Sequence, residues 1–144
     1  MKTFITSIAA AIIFISNSAF ANTEGKANRS TVAAINHSLD LYTDALTNGQ
    51  VAGLDQLFSE QFQQRYSTKK AGHTFGKEQV LGFLKKQKNI RQDCETDYSI
   101  VDENKGVAIA KVTMKYATFS RVDYVTVAQS KDDYQITQVV TTFE

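Results

Sequence analysis

The spacing of the apolar residues changes at Asp93, and this change constrains the fold more than any other feature of the sequence. Before it, apolar residues recur at intervals of three and four, as on one face of an α-helix. After it they alternate with polar residues, as in a half-buried β-strand. Strands joined by short turns pair antiparallel. The sequence therefore predicts an α+β domain in which helices come first and an antiparallel sheet follows.

Three helices are predicted before Asp93. The first spans 31–47, and the second is a short helix whose apolar face lies within 51–62. The third begins at Gly76, and its apolar face carries Val80, Leu81, Phe83 and Leu84. The first should end at Asn48-Gly49, because glycine adopts a left-handed conformation at low cost. The polar segment 63–76 indicates two short strands or an irregular crossing.

Four strands are predicted after Asp93, at 93–102, 107–118, 121–129 and 134–143. A bulge at Gly106 would place Ile100 opposite Ala110, and the last hairpin would place Val127 opposite Ile136. Continuing that register puts Asp123 opposite Val140. On the second strand one face is apolar and is expected to point inward, with Ala108, Ala110, Val112, Met114 and Tyr116.

The N-terminus has the features of a secretory signal. A basic start precedes an unbroken apolar run at 8–15 and a small-x-small cleavage site at Ala19-Phe20-Ala21. Because a membrane-spanning helix needs about 18 or more apolar residues, this run is too short to be an anchor. We therefore expect a signal peptide at 1–21, a flexible leader at 22–30, one domain at 31–144, and export to the bacterial periplasm or the medium.

The formal charge of the whole chain is +1, and it would be zero without Lys2. A neutral surface argues against nucleic acid as a partner. Cys94 is the single cysteine, so no disulfide can form within the chain. We expect it to be a buried small side chain, with pairing between chains as the alternative. His37 and His73 lie far apart, so no metal site and no cofactor are predicted.

The order of elements, together with three local patterns, resembles the nuclear-transport-factor-2-like superfamily, also called cystatin-like. The patterns are Thr47-Asn48-Gly49-Gln50, Phe75-Gly76-Lys77-Glu78-Gln79-Val80, and Asp123-Tyr124-Val125-Thr126-Val127 followed by Asp132-Asp133-Tyr134-Gln135-Ile136. Within it the chain is most similar to SnoaL-like and lumazine-binding bacterial proteins. The resemblance implies a cone-shaped fold, with three N-terminal helices packed on a curved antiparallel sheet of four main strands and a pocket at its open end.

The resemblance also implies which side chains would line that pocket. They are Tyr42, Tyr98, Met114, Tyr116 and Asp123. One hypothesis is a non-catalytic protein that binds a small apolar or aromatic ligand there. The alternative is an isomerase-like enzyme with Asp123 as general base and Tyr116 as oxyanion donor. A third interpretation is structural, with Asp123 bonded to backbone amides or to the Tyr116 hydroxyl.

Two further hypotheses come from the same superfamily. Its epoxide-hydrolase branch uses an arginine and an aspartate two residues apart, as in Arg121 and Asp123, but also needs an acid on the neighbouring strand. No acid lies between Asp133 and Glu144, so that set is incomplete.

Members of the superfamily often form dimers through the sheet. If the chain forms a homodimer, we expect Val107, Ile109 and Phe119 to be the contact residues. A dimeric accessory module is therefore the non-catalytic alternative to ligand binding.

Overall fold

The structure is a computed structural model that describes residues 23–67, 72–131 and 133–144. The predicted signal peptide at 1–21 lies outside these residues. The helices are α1 (Thr23–Thr47), α2 (Leu54–Leu57) and α3 (Lys77–Lys86). The strands are β1 (Phe58–Tyr66), β2 (Thr74–Gly76), β3 (Glu95–Asn104), β4 (Val107–Lys115), β5 (Ser120–Ser130) and β6 (Asp133–Phe143). None of the helices described is long and apolar enough to cross a membrane.

Helix α1 ends where the sequence predicts but begins earlier. It starts at Thr23, within the segment predicted as a flexible leader, rather than at Thr31. That segment contains no proline and has alanine, glutamate and lysine, which favour helix. At the other end Gly49 has a φ of 65°, as a left-handed stop requires. The Thr47 carbonyl accepts a hydrogen bond from the Gln92 amide at 2.7 Å. This bond gives a partner to one of the carbonyl groups that the end of a helix leaves unpaired.

The second predicted helix is mostly strand. Only Leu54–Leu57 is helical, and Phe58 and Phe62 point into the core from β1. A spacing of four residues is even, so it fits one face of a strand as well as one face of a helix. In 63–76, where two short strands or an irregular crossing were expected, the end of β1 pairs antiparallel with β2, but β1 begins earlier, at Phe58.

The sheet has six strands in the order β2-β1-β6-β5-β4-β3. The four predicted strands form its antiparallel meander, which confirms that part of the prediction. The sheet is nevertheless larger than four strands and not wholly antiparallel, because β1 pairs parallel with β6. That pairing joins distant parts of the chain, and no local pattern indicates it.

Two of the predicted strand registers are confirmed, although the bulges lie elsewhere. Ile100 pairs with Ala110, but the irregularity falls at Val101 instead of Gly106. Val127 pairs with Ile136, and Thr126 then pairs with Gln138. Thr137 on β6 is skipped between these two pairs, so every later pair of β5 and β6 is shifted by one residue. Asp123 therefore lies opposite Thr141, and the prediction of Val140 is wrong.

The core lies between the inner face of the sheet and the helices. Helix α1 contributes Ile35, Leu39 and Tyr42, and β4 contributes its predicted inward set from Ala108 to Met114. Helix α3 buries Val80, Leu81 and Leu84, whereas Phe83 is 55% exposed. At 100° per residue Phe83 lies well off the stripe formed by the other three, so its placement on the buried face was wrong.

Candidate functional site

The inner face of the sheet holds a buried polar group, here called the Asp123 network. It consists of Tyr42, Arg121, Asp123, Thr141 and Gln64. Asp123 is fully buried. Its Oδ2 accepts from the Tyr42 hydroxyl at 2.8 Å and from Arg121 Nη2 at 2.9 Å. Its Oδ1 accepts from the Thr141 hydroxyl at 2.6 Å and from Arg121 Nε at 3.0 Å.

Each member reaches this point for a local reason. Arg121 and Asp123 are two residues apart on β5, so they share a face. The bulge on β6 brings Thr141 directly opposite Asp123. Gln64 on β1 then donates from Nε2 to the Thr141 hydroxyl at 3.1 Å. The fold itself therefore supplies donors to both oxygens of the carboxylate.

Burial and charge fix the protonation states of Tyr42 and Arg121 over the physiological pH range. Burial, and then the negative charge of Asp123, raise the pKa of Tyr42 well above its ordinary value. Burial acts to lower the pKa of Arg121, but Tyr42 and Asp123 more than offset it, and that pKa is raised. Tyr42 therefore stays a neutral donor and Arg121 stays a cation.

The phenol that meets Asp123 is Tyr42 from α1, not Tyr116 as the sequence predicted. Tyr116 lies beyond the end of β4, where its ring stacks on Phe119 with centroids 4.5 Å apart. Burial, and then the neighbouring Cys94, raise the pKa of Tyr116. Because Tyr116 precedes a turn instead of continuing the strand, the extrapolated register does not hold there.

The remaining predicted pocket residues divide between the core and the surface. Met114 is buried among apolar side chains. Tyr98 is half-buried on β3, and its hydroxyl donates to Asp40 Oδ1 at 2.8 Å. With 0% of Asp123, 1% of Met114 and 2% of Tyr42 accessible, almost no water-sized space adjoins these three side chains. The pocket expected around them is filled by the packing of α1 on the sheet.

A cleft of about 530 Å³ lies instead between α1 and β3. Of the described residues that line it, only Tyr98 had been predicted as a pocket residue. Its walls are polar, formed by Asn36, Thr43, Asp44, Thr47, Asn48, Thr96, Asp97 and Tyr98. Asp97 is exposed on β3 opposite Thr113.

Aromatic side chains gather where β1 and β6 end and β5 begins. This group, here called the aromatic rim, comprises Tyr66, Phe75, Tyr116, Phe119 and Phe143. Ring centroids are 5.8 Å apart for Tyr66 and Phe75, 6.1 Å for Tyr66 and Phe143, and 6.2 Å for Phe119 and Phe143. Phe119 is 42% exposed and Phe143 is 53% exposed. The rim therefore presents a continuous aromatic surface that is partly open.

The aromatic rim adjoins the Asp123 network. Arg121 pairs with Phe143 across β5 and β6, and its side chain is 13% exposed. Tyr66 contributes to raising the pKa values of Tyr42 and Arg121, after the larger causes given above. Tyr66, Phe143 and Thr141 were not among the predicted site residues. Tyr66 shares the even spacing of the buried residues Phe58 and Phe62, but Thr141 and Phe143 face inward only because β6 skips Thr137.

The three residues predicted for a dimer contact do not lie together. Val107 and Ile109 share the outer face of β4, where Val107 is exposed and Ile109 is half-buried. Tyr124 of β5 lies on the same face and is also exposed. Phe119 belongs to the aromatic rim instead. The turn before β5 carries Phe119 away from the sheet face.

The two remaining side chains of interest lie near the rim. His73 is exposed, with its ring centroid 6.4 Å from that of Phe75. Cys94 is a free thiol, half-buried rather than buried as expected. Within 23–67, 72–131 and 133–144, no three histidine, cysteine or acidic side chains cluster as metal ligands would.

Solved structures share this fold at low sequence identity. An NTF-2 like protein of unknown function from Silicibacter pomeroyi DSS-3 is 16% identical with a TM-score of 0.68, over 81% of this chain and 98% of that one. An uncharacterized protein with a cystatin-like fold from Caulobacter vibrioides is 14% identical with a TM-score of 0.61, over 78% and 89%. A protein described as a "putative ketosteroid isomerase" from Parabacteroides distasonis ATCC 8503 is 14% identical with a TM-score of 0.54, over 74% and 84%.

Comparison of sequences gives a narrower assignment. No protein among those with curated functions matches this chain. Residues 30–143, however, match the family described as "Putative lumazine-binding". That match spans most of the chain and agrees with the helices, the six-stranded sheet and the cystatin-like neighbours. The chain therefore belongs to this lumazine-binding-like family and has the nuclear-transport-factor-2-like fold.

Proposed function

We propose that the protein binds a small aromatic or apolar molecule at the aromatic rim and does not catalyse a reaction. The observation that carries this proposal is the continuous series of rings from Phe75 to Tyr116, two of which are about half exposed. Aromatic rings pair favourably with other rings, by about 0.5–1.5 kcal/mol beyond the area that they bury. A planar ligand would extend this series while its polar edge meets Arg121.

The arrangement of Asp123 favours binding over catalysis. A general base must come within hydrogen-bond reach of the proton that it removes. Asp123 has no accessible surface, and four donor contacts occupy its two oxygens. The isomerase-like alternative would require the carboxylate to leave Arg121 and Thr141 and turn outward. The hydroxyl donors to Asp123 are Tyr42 and Thr141, and the predicted partner Tyr116 stacks on Phe119 instead.

Titration with aromatic probes tests the proposal. Lumazine itself, suggested by the family description, and 8-anilinonaphthalene-1-sulfonate are fluorescent, so binding can be followed directly. We expect Phe119→Ala and Phe143→Ala each to weaken binding by about fivefold, from the loss of one ring contact. Phe83→Ala is the matched control, since Phe83 is 55% exposed on α3 and takes part in none of the ring pairs of the rim. Equal losses for all three variants, or no binding of either probe, would contradict the proposal.

Native mass spectrometry of the purified protein adds a test that does not depend on the choice of probe. A bound small molecule that is lost from Phe143→Ala but retained by Phe83→Ala would identify the natural ligand class. A ligand retained by every variant would place binding outside the rim.

We also propose that the protein is exported, because the signal pattern at 1–21 precedes the family match at 30–143. Fractionation of cells that express the full chain, with N-terminal sequencing of the product, tests this. A mature N-terminus near Asn22 supports export, and an intact Met1 in the cytoplasm contradicts it.

A dimeric accessory function is the second candidate. Its support is the apolar outer face of the sheet, where Val107 and Tyr124 are about 40% exposed and apolar surface commonly marks an interface. Light scattering on the eluted protein measures the mass in solution. A dimer that dissociates in Val107→Asp but not in Phe83→Asp would support this contact, and a wild-type monomer would argue against it.

A further inference from the structure

Arg121 is a charged side chain at the edge of the aromatic rim. It is the direct cross-strand partner of Phe143 on β6. Side chains in such a pair share one face of the sheet, with their Cβ atoms about 5 Å apart. On its other side Arg121 pairs with Met114, two residues before the rim residue Tyr116. A flat molecule that stacks on the exposed ring of Phe143 therefore has the Arg121 guanidinium at its edge.

The fold leaves part of this guanidinium unused. An arginine has five N–H donors. Asp123 accepts from Arg121 Nε at 3.0 Å and from Nη2 at 2.9 Å, whereas Nη1 has no acceptor among the described residues. Within 23–67, 72–131 and 133–144, the one buried side-chain nitrogen or oxygen without a partner is Ser59 Oγ. Nη1 is therefore not buried, and a ligand at the rim can bond to it.

The charge of Arg121 is already compensated before any ligand arrives. The Asp123 carboxylate pairs with the guanidinium through both of its oxygens. The five rim residues are tyrosines and phenylalanines, so they add no charge at neutral pH. An anionic ligand group would give up its hydration at the rim without meeting a net positive charge, and that loss is costly. An uncharged acceptor gives up much less, and it still bonds to a charged donor, which is the stronger kind of hydrogen bond.

Hydrocarbon and cationic rings fit this edge less well. A ring without polar atoms would cover Arg121 Nη1 and leave its donors unpaired, which costs binding free energy. A cationic ring would place positive charge against those donors. A carbonyl oxygen lies in the plane of the ring that carries it, so it can accept from Nη1 while the ring stays stacked on Phe143. The geometry therefore suits a neutral, carbonyl-bearing ring.

We propose that the aromatic rim selects uncharged planar ligands with a carbonyl oxygen at the edge, which accepts a hydrogen bond from Arg121 Nη1. This inference rests on the proposed binding of aromatic molecules at the rim and adds the chemical class of the ligand. It also gives Asp123 a positioning role in that binding. Asp123 does not touch the ligand, but its charge cancels that of Arg121 and so disfavours aromatic acids.

Three probes of nearly the same shape test the proposal in the wild-type protein by fluorescence titration at neutral pH. They are 2-naphthamide, sodium 2-naphthoate and 2-methylnaphthalene. We expect the amide to bind about tenfold more tightly than the hydrocarbon, from one hydrogen bond to a charged donor, and the acid to bind no more tightly than the amide. Equal affinities for amide and hydrocarbon, or tightest binding of the acid, would overturn this inference. Rim binding itself would still stand if Phe143→Ala weakened all three probes.

Asp123→Asn tests the origin of the selectivity. This variant leaves the charge of Arg121 uncompensated, so the affinity for 2-naphthoate relative to 2-naphthamide should rise by about tenfold. A ratio of two affinities cancels any general weakening of the fold, which a merely structural role of Asp123 would produce. Asp102→Asn, at an exposed acid on β3, is the matched control and should keep the wild-type ratio. An unchanged ratio in Asp123→Asn would overturn the role given to Asp123, and no binding of any probe to wild type would overturn the rim proposal as well.

Discussion

Removal of the Asp123 carboxylate is the most direct test of the buried network. In Asp123→Ala the Arg121 guanidinium loses its bidentate partner while its side chain stays 13% exposed. The hydroxyls of Tyr42 and Thr141 lose their acceptor in the same step. Breaking a buried ion pair on one side costs about 3–5 kcal/mol, because the remaining charge is buried without compensation. Domains of this size are stable by only about 5–15 kcal/mol, so the loss is large.

Urea denaturation followed by circular dichroism measures this effect. With a slope of about 1–3 kcal/mol per molar urea, the midpoint should fall by roughly 2 M in Asp123→Ala. Asp123→Asn keeps the shape and one acceptor but removes the charge, so it should fall between the alanine variant and wild type. It also remains informative if the alanine variant does not fold. Asp102→Ala, an exposed carboxylate on β3, is the control and should change stability by less than about 0.5 kcal/mol.

The result that would refute this reasoning is an Asp123→Ala variant as stable as Asp102→Ala. That outcome would mean that Arg121 finds water or another acceptor when the carboxylate is gone. A stable Asp123→Ala variant with altered ligand affinity would instead return Asp123 to the functional site. The double variant Arg121→Met with Asp123→Leu separates charge from packing. We expect it to recover part of the loss, because no uncompensated charge remains.

Two further predictions concern the helices. Burial, and then its hydrogen bond to Asp40, raise the pKa of Tyr98 to about 12, so tyrosinate absorbance should lose a component near that pH in Tyr98→Phe. Because the pKa of Tyr98 is higher in the folded than in the unfolded protein, this bond contributes its full stability below about pH 10 and loses it as the pH rises toward 12. The difference in stability between wild type and Tyr98→Phe should therefore shrink over that pH range. Gly49→Ala should destabilise by more than about 1 kcal/mol, because Gly49 has a φ of 65° and its new Cβ would meet the Gln87 carbonyl. A thermal melt measures this loss, with Gly82→Ala on α3, where a Cβ has open space, as a control that should not be destabilised.

Local sequence patterns predicted much of the architecture. The alternation after Asp93 gave the four-stranded meander because one face of each strand is buried and the other is wet. Gly49 marked the end of α1 because that position needs a positive φ. The same reasoning failed at Phe58 and Phe62, whose spacing suits both a helix and a strand. It could not find the parallel pairing of β1 with β6, which depends on contacts between distant segments.

The candidate site shows where sequence reasoning stops. Arg121 and Asp123 could be placed on one inward face from their spacing, and Tyr42 could be placed on the buried side of α1. Which phenol meets the carboxylate could not be predicted, because Tyr42 and Tyr116 both had inward parity. The packing of α1 on the sheet brings Tyr42 to Asp123. The turn after β4 turns Tyr116 toward Phe119 instead.

The sequence by itself determined the class of fold, the order of its elements and which face of each main strand is buried, since these follow from the period of apolar residues along the chain. Only the tertiary structure decided the partners of those faces. One extra residue at Thr137 moves Thr141 opposite Asp123. A shift of one residue in strand pairing changes every cross-strand contact beyond it. No local sequence pattern predicts the position of such a shift. Filling of the interior by α1 likewise leaves the aromatic rim, rather than the expected pocket, open to a ligand.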